Sequence, residues 1–253
     1  MSTIVPNLKA SGEKCETCPI RHRAVCSYSS PSELSELNDA KYYRDFRPGE
    51  EIVGEQEPMT AVGSLIDGVA SLYKTLEDGR RQMVGLLFPS DFIGRPMRSH
   101  APYEAVAVTP VRMCLFHRQK FEAILRSNTS LERRMLEMTL DELDAARDWM
   151  LLLGRKSARE RLASFLMILI RRRAELMKVN AEDVREIDLP LTREAIAEFI
   201  GLTIETVSRQ FSLLRKQGLI GQIDRRTLSV GDYDALSTTA GDYGPLSSDA
   251  AIA

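Results

Sequence analysis

The chain has 253 residues, enough for one large domain or two modest ones, and its 43% apolar and 28% charged residues are the proportions of a globular protein. No apolar run approaches the roughly 20 residues that span a bilayer, and the start, MSTIVPNLKASGEK, lacks the apolar stretch of a secretory signal, so no membrane association and a cytoplasmic location are expected. The net charge of −2 hides an asymmetry: residues 155–230 carry 15 Lys/Arg against 10 Asp/Glu, and the remainder 19 against 26, a basic module joined to an acidic one, as suits a polyanion partner.

Residues 1–30 read as an irregular loop holding three of the four cysteines, Cys15, Cys18 and Cys26. In the cytoplasm such residues are thiols or metal ligands rather than disulfides. The spacing Cys15-x2-Cys18-x7-Cys26, with Pro19 to turn the loop and Cys114 far downstream, offers four thiolates. That set can hold a [4Fe–4S] cluster, zinc or a smaller iron–sulfur centre. His22 lies inside the loop, so a local zinc site of Cys15, Cys18, His22 and Cys26 is an alternative that leaves Cys114 out.

Residues 31–120 form the next block, with strand signals from about residue 40. Short apolar runs are broken by Gly, Pro and Asp, as in SLIDGVASLYKTLEDGRRQMVGLLFPSDFIG, which suggests a β-roll or barrel. Ser71–Phe88 around Glu77-Asp78-Gly79 is expected to be a hairpin, since Asp-Gly supplies the turn. Residues 121–154 switch to helical spacing. Leu136, Thr139, Leu143, Ala146, Met150 and Leu153 recur at intervals of three and four with charge on the other faces, the seam of a helix that pairs with a second copy. Gly154-Arg155-Lys156 reads as a hinge. Ser157 and Glu160 make a capping box for a further helix. Residues 235–253 are small and polar and read as a disordered tail.

Residues 155–234 contain the most informative stretch, Leu191 to Ile220. Thr192 can cap a short helix over Arg193–Ile200, Gly201 can take the positive φ of a turn, and Thr203 can cap a second helix to about Gln217. Val207, Phe211 and Leu214 form its inner stripe, leaving Glu205, Ser208, Arg209 and Ser212 outward. This is the layout of a helix-turn-helix, whose second helix enters the major groove by its N-terminal end. Arg suits the O6 and N7 acceptors of guanine, and Glu can accept from cytosine N4. Leu219–Ile223 and Thr227–Val230, joined by Asp224-Arg225-Arg226, read as a small β-wing.

Glu205-Thr206-Val207-Ser208-Arg209 resembles the E-T-V-S-R recognition-helix signature of the FNR branch of the CRP/FNR superfamily. The likeness extends over about Cys15 to Val230. It implies an α+β chain: an N-terminal β-roll of the cyclic-nucleotide-binding jelly-roll type, a long dimerisation helix and a C-terminal winged helix-turn-helix. It further implies a homodimer on double-stranded DNA with an inverted-repeat operator, TTGAT-N4-ATCAA. Glu205, Ser208 and Arg209 would read each half-site, with Thr203 and Thr192 at the helix starts. It implies a [4Fe–4S] cluster on Cys15, Cys18, Cys26 and Cys114, an oxygen-responsive activator, and a contact with RNA polymerase around Glu77–Arg81. Ala146 stands where an acidic residue would add repulsion between the helices, a departure that favours the dimer. Rival readings are a zinc or thiol-based signal or a cyclic nucleotide, for which Arg98-Ser99 is a superficial match. A cupin-like enzyme is not expected, because His22, His100 and His117 are not paired at ligand spacing.

Overall fold

A computed structural model describes residues 14–241. After a short 3-10 turn at Cys15–Thr17, α1 (Pro31–Ala40) opens on a capping box between Ser30 and Glu33 with Pro31 at its first position. Eight antiparallel strands follow: β1 (Lys41–Phe46), β2 (Glu51–Val53), β3 (Ala61–Asp67), β4 (Ala70–Thr75), β5 (Arg81–Leu87), β6 (Phe92–Ile93), β7 (Glu104–Ala107) and β8 (Val111–His117). They make two four-stranded sheets, β1-β8-β3-β6 and β2-β7-β4-β5. This is the expected roll. The β4–β5 hairpin closes through Gly79 at φ +85°, the backbone that the Asp-Gly pair anticipated. Helix α1 was not foreseen inside the block 31–120.

Successive side chains of a strand face opposite ways, and β8 uses both faces. Val111, Met113 and Leu115 join Phe46, Leu65 and Leu72 in the core of the roll. Cys114 and Phe116 face away from it. Phe116 joins Val25, Leu37, Phe121, Ile124, Leu125 and Leu131, a second core beneath the helices.

The helical stretch expected over 121–154 is two helices, α2 (Arg118–Ser127) and α3 (Thr129–Arg155). They are divided at Asn128, whose Oδ1 accepts from Leu131 N–H at 2.9 Å. The 27 residues of α3 span about 40 Å at 1.5 Å per residue. The chain divides after Leu140, within α3, into two compact units.

In the C-terminal unit α4 (Ala158–Met177) is capped by Ser157 and Glu160 as expected, and buries Leu162, Phe165, Leu166, Met167 and Ile170. Then come β9 (Glu186–Asp188), α5 (Arg193–Ile200), α6 (Ile204–Lys216), β10 (Ile220–Gln222) and β11 (Thr227–Val230). The wing has a third strand that the sequence did not signal: β9 pairs with β11 in the order β10-β11-β9. The tail expected from residue 235 is corrected as well. Tyr233–Ala240 form α7, capped by Asp232 and packed on α4 through Leu236 and Ala240; residues 242–253 lie outside the described part. No described helix is long and apolar enough to cross a membrane.

Candidate functional site

The helix-turn-helix is built from its caps. Thr192 accepts from Ala195 N–H at 3.1 Å and Thr203 from Thr206 N–H at 3.3 Å, each satisfying an otherwise orphaned donor. Gly201 ends α5 at φ +65°. Val207, Phe211 and Leu214 are buried, with Ile196, Phe199 and Ile200 behind them. Glu205, Ser208, Arg209 and Ser212 are exposed on one side of α6, and the caps Thr192 and Thr203 are exposed too.

Arg193 of α5, which the sequence did not single out, packs against the buried stripe of α6. Its guanidinium lies 3.1 Å from the centroid of the Phe211 ring, and its Nη1 is buried with no hydrogen-bond partner among the described residues. Burial pushes its pKa down to about 10, helped by the nearby charge of Arg215, so it stays charged at neutral pH. In the wing, Asp224 Oδ1 accepts from the backbone of Arg226 and Thr227 and fixes the turn; Arg225 and Arg226 remain exposed.

Most of the expected seam of α3 lies open in the single chain. Leu136 is 60% exposed, Leu143 44% and Met150 70%, and Thr139 and Ala146 are also exposed. The apolar surface is wider than the six-residue seam, because Leu140 and Leu151 are exposed beside it. Leu153 departs from expectation. It is half-buried in its own chain, with Cδ2 only 3.3 Å from where a Cβ on Gly201 would stand.

The four cysteines are drawn together from the loop and from β8. Cys18, Cys26 and Cys114 pack with Tyr43 around Ile20, Ala24 and Ile66. Cys15 is buried and held at the edge, where its N–H donates to Asn38 Oδ1 at 3.4 Å and its Sγ accepts from Lys41 Nζ at 3.6 Å. Burial pushes the Cys26 thiol up to about 12, and the neighbouring thiols of Cys18 and Cys15 add to the shift. Burial also raises Cys18 and Cys114, and each of the other three cysteines raises Cys114 further. Cys18, Cys26 and Cys114 therefore share one weakly solvated patch that favours neutral thiols until a cation offsets the charge. Among the described residues, no three Cys, His, Asp or Glu side chains already stand at metal-holding distances. His22 Nδ1 lies 3.1 Å from Pro19 O, within its own turn. The donor chemistry fits a thiophilic group, and the thiols need a further closure to reach ligating distance.

The loop is tied to α3. Arg134 Nη2 donates to Arg23 O at 2.8 Å and Nη1 pairs with Glu137 at 3.4 Å. The guanidinium groups of Arg133 and Arg134 both lie 5.7 Å from the centroid of the Tyr28 ring.

Residues 160–239 match the family of the Crp-like helix-turn-helix domain, and residues 43–128 that of the cyclic nucleotide-binding domain. The chain is 50% identical to the transcriptional activator protein FnrL of Cereibacter sphaeroides, over 87% of this chain and 88% of that one. It is 39% identical to the nitrogen fixation regulation protein FixK of Bradyrhizobium diazoefficiens, over 88% and 92%. Among solved structures it resembles FixK2 from Bradyrhizobium japonicum, with a TM-score of 0.71 and 33% identity, over 79% of this chain and 96% of that one.

Proposed function

The chain belongs to the CRP/FNR family of transcription regulators, and we propose that it is a cytoplasmic, oxygen-responsive transcription activator that acts as a homodimer. The family is one of DNA-binding regulators, not enzymes. The finer reading rests above all on one observation: Cys114, remote in sequence, turns its side chain out of the roll and into the patch formed by Cys15, Cys18 and Cys26. A loop of unrelated thiols has no reason to collect the only other cysteine of the chain.

In this reading Cys15, Cys18, Cys26 and Cys114 hold a [4Fe–4S] cluster, whose lability to oxygen supplies the signal. The protein's own parts transmit it. Lys41 donates to Cys15 Sγ, and its positive charge opposes the upward shift of the Cys18 and Cys114 thiols. Arg134 ties the backbone of the cysteine loop to α3, so loss of loop order is felt on the helix that carries Leu136, Thr139, Leu143, Ala146 and Met150. Pairing of two α3 helices covers that apolar surface and presents two α6 helices to the half-sites of TTGAT-N4-ATCAA. Glu205, Ser208 and Arg209 read base edges, and the exposed turn Glu77–Arg81 is the surface offered to RNA polymerase.

The test is metal analysis of protein purified without oxygen. About four irons with matching sulfide per chain and visible absorption that changes in air are expected. One zinc and no colour would leave the DNA-binding regulator standing and remove the oxygen sensor.

A further inference from the structure

The carbonyls at the end of a helix lack intrahelical partners and carry its negative pole. In the C-terminal unit two such ends converge on one side chain. Arg161, near the start of α4, donates through Nη2 to Leu153 O at 2.7 Å and through Nε to Lys156 O at 2.9 Å, both at the end of α3. Its Nη1 lies 3.2 Å from both Ile200 O and Gly201 O, at the end of α5. A planar guanidinium presents five donors in a rigid fork, so one residue serves both helix ends and places a cation between their negative poles.

The surroundings reinforce the junction. Trp149 of α3 stacks on Phe199 of α5, with ring centroids 4.1 Å apart at 23°. Leu153 packs on Gly201. Lys156 Nζ donates to Ser164 Oγ at 2.7 Å and to Ala240 O at 2.6 Å. The segment Gly154–Lys156 that the sequence presented as a hinge is therefore clamped at both Leu153 and Lys156, and α3 runs through Gly154 to Arg155.

We propose that Arg161 is a positioning residue that locks the helix-turn-helix to the C-terminal half of the pairing helix and so sets the half-site spacing the protein accepts. The inference rests on the dimer and inverted-repeat reading. Leu143, Ala146 and Met150 lie on the same compact unit as α5 and α6, so paired α3 helices carry their recognition helices at a separation this clamp holds. One inserted base pair turns a half-site by about 35° and moves it by about 3.4 Å, which a locked pair rejects and a hinged pair follows.

The experiment measures, without oxygen, the affinity of full-length protein for TTGAT inverted repeats with the four-base-pair spacer and with spacers one base pair shorter or longer. Thermal melting and sedimentation are recorded on the same samples. Wild type is expected to prefer the four-base-pair spacer. R161A is expected to lose at least roughly tenfold of that preference while remaining dimeric. R161K, which keeps the charge but not the fork, is expected to fall between. A folded, dimeric R161A with the wild-type spacer ratio overturns the proposal. Should R161A not fold, R161K with an unchanged ratio does the same. A wild type indifferent to spacing removes the inverted-repeat reading and the clamp's role with it.

Discussion

The helix-turn-helix is completed by residues that are neighbours in sequence, whereas the cysteine patch is assembled from distant ones. Thr192, Gly201, Thr203, Val207 and Phe211 lie within one stretch, and with their caps made and their apolar stripe buried Glu205, Ser208 and Arg209 already point outward. Cys18 and Cys26 of the loop meet Cys114 on the outer side of β8, and these three thiols are raised by burial and by neighbouring cysteines. On the proposed function the output site is thus preorganised, and the input site would be finished by what binds it. Such a division suits a switch, because only the conditional part needs to respond to the signal.

The strongest way to break this comparison is to remove the one proposed ligand that the fold, rather than the loop, supplies. Cys114→Ser is expected to lose nearly all bound iron, and its DNA affinity without oxygen should fall to that of air-exposed wild type. Retention of full iron would return the site to the loop alone. Next in size is Ala146→Asp. A carboxylate facing its copy across the α3 pair costs on the order of a few kcal/mol, so sedimentation in air should show dissociation at concentrations where wild type stays paired. Unchanged sedimentation would place the interface elsewhere.

Arg209→Ala probes the finished end and should weaken binding to the TTGAT repeat by about 1–3 kcal/mol with little change on unrelated DNA. An equal loss on both sequences would make Arg209 a phosphate contact. The smallest effect is expected from Thr203→Ala, where loss of the cap should lower stability by about 1 kcal/mol, read as a downward shift in the melting of the C-terminal unit while iron content is unaffected.

The same contrast explains what the sequence revealed. Caps, a turn glycine and an apolar stripe act over a few residues, so α5, the turn and α6 were legible to within one residue at α6's end. The capping box of Ser30 and Glu33 was equally legible, and helix α1 was overlooked although its signal was present. Asn128 likewise marked the break before α3. Helix α7 was hidden by its composition: Ala235–Ala240 is mostly small and polar, and the Asp232 cap went unread beside it, while Leu236 and Ala240 are buried. Strand β9, three residues long, exists because β11 offers it an edge. The inward turn of Leu153 and the four-way contact of Arg161 depend on tertiary neighbours that no local pattern announces.

The most direct test of the proposed oxygen switch joins the two ends in one sample: the affinity of the iron-loaded protein for the TTGAT inverted repeat, measured without oxygen and again after exposure to air. Tight, sequence-specific binding that weakens as the visible absorption is lost is expected, with the thermal melting of the C-terminal unit unchanged. Binding that stays the same while the iron is lost would contradict it, because the cysteine patch would then have no hold on the DNA-reading end.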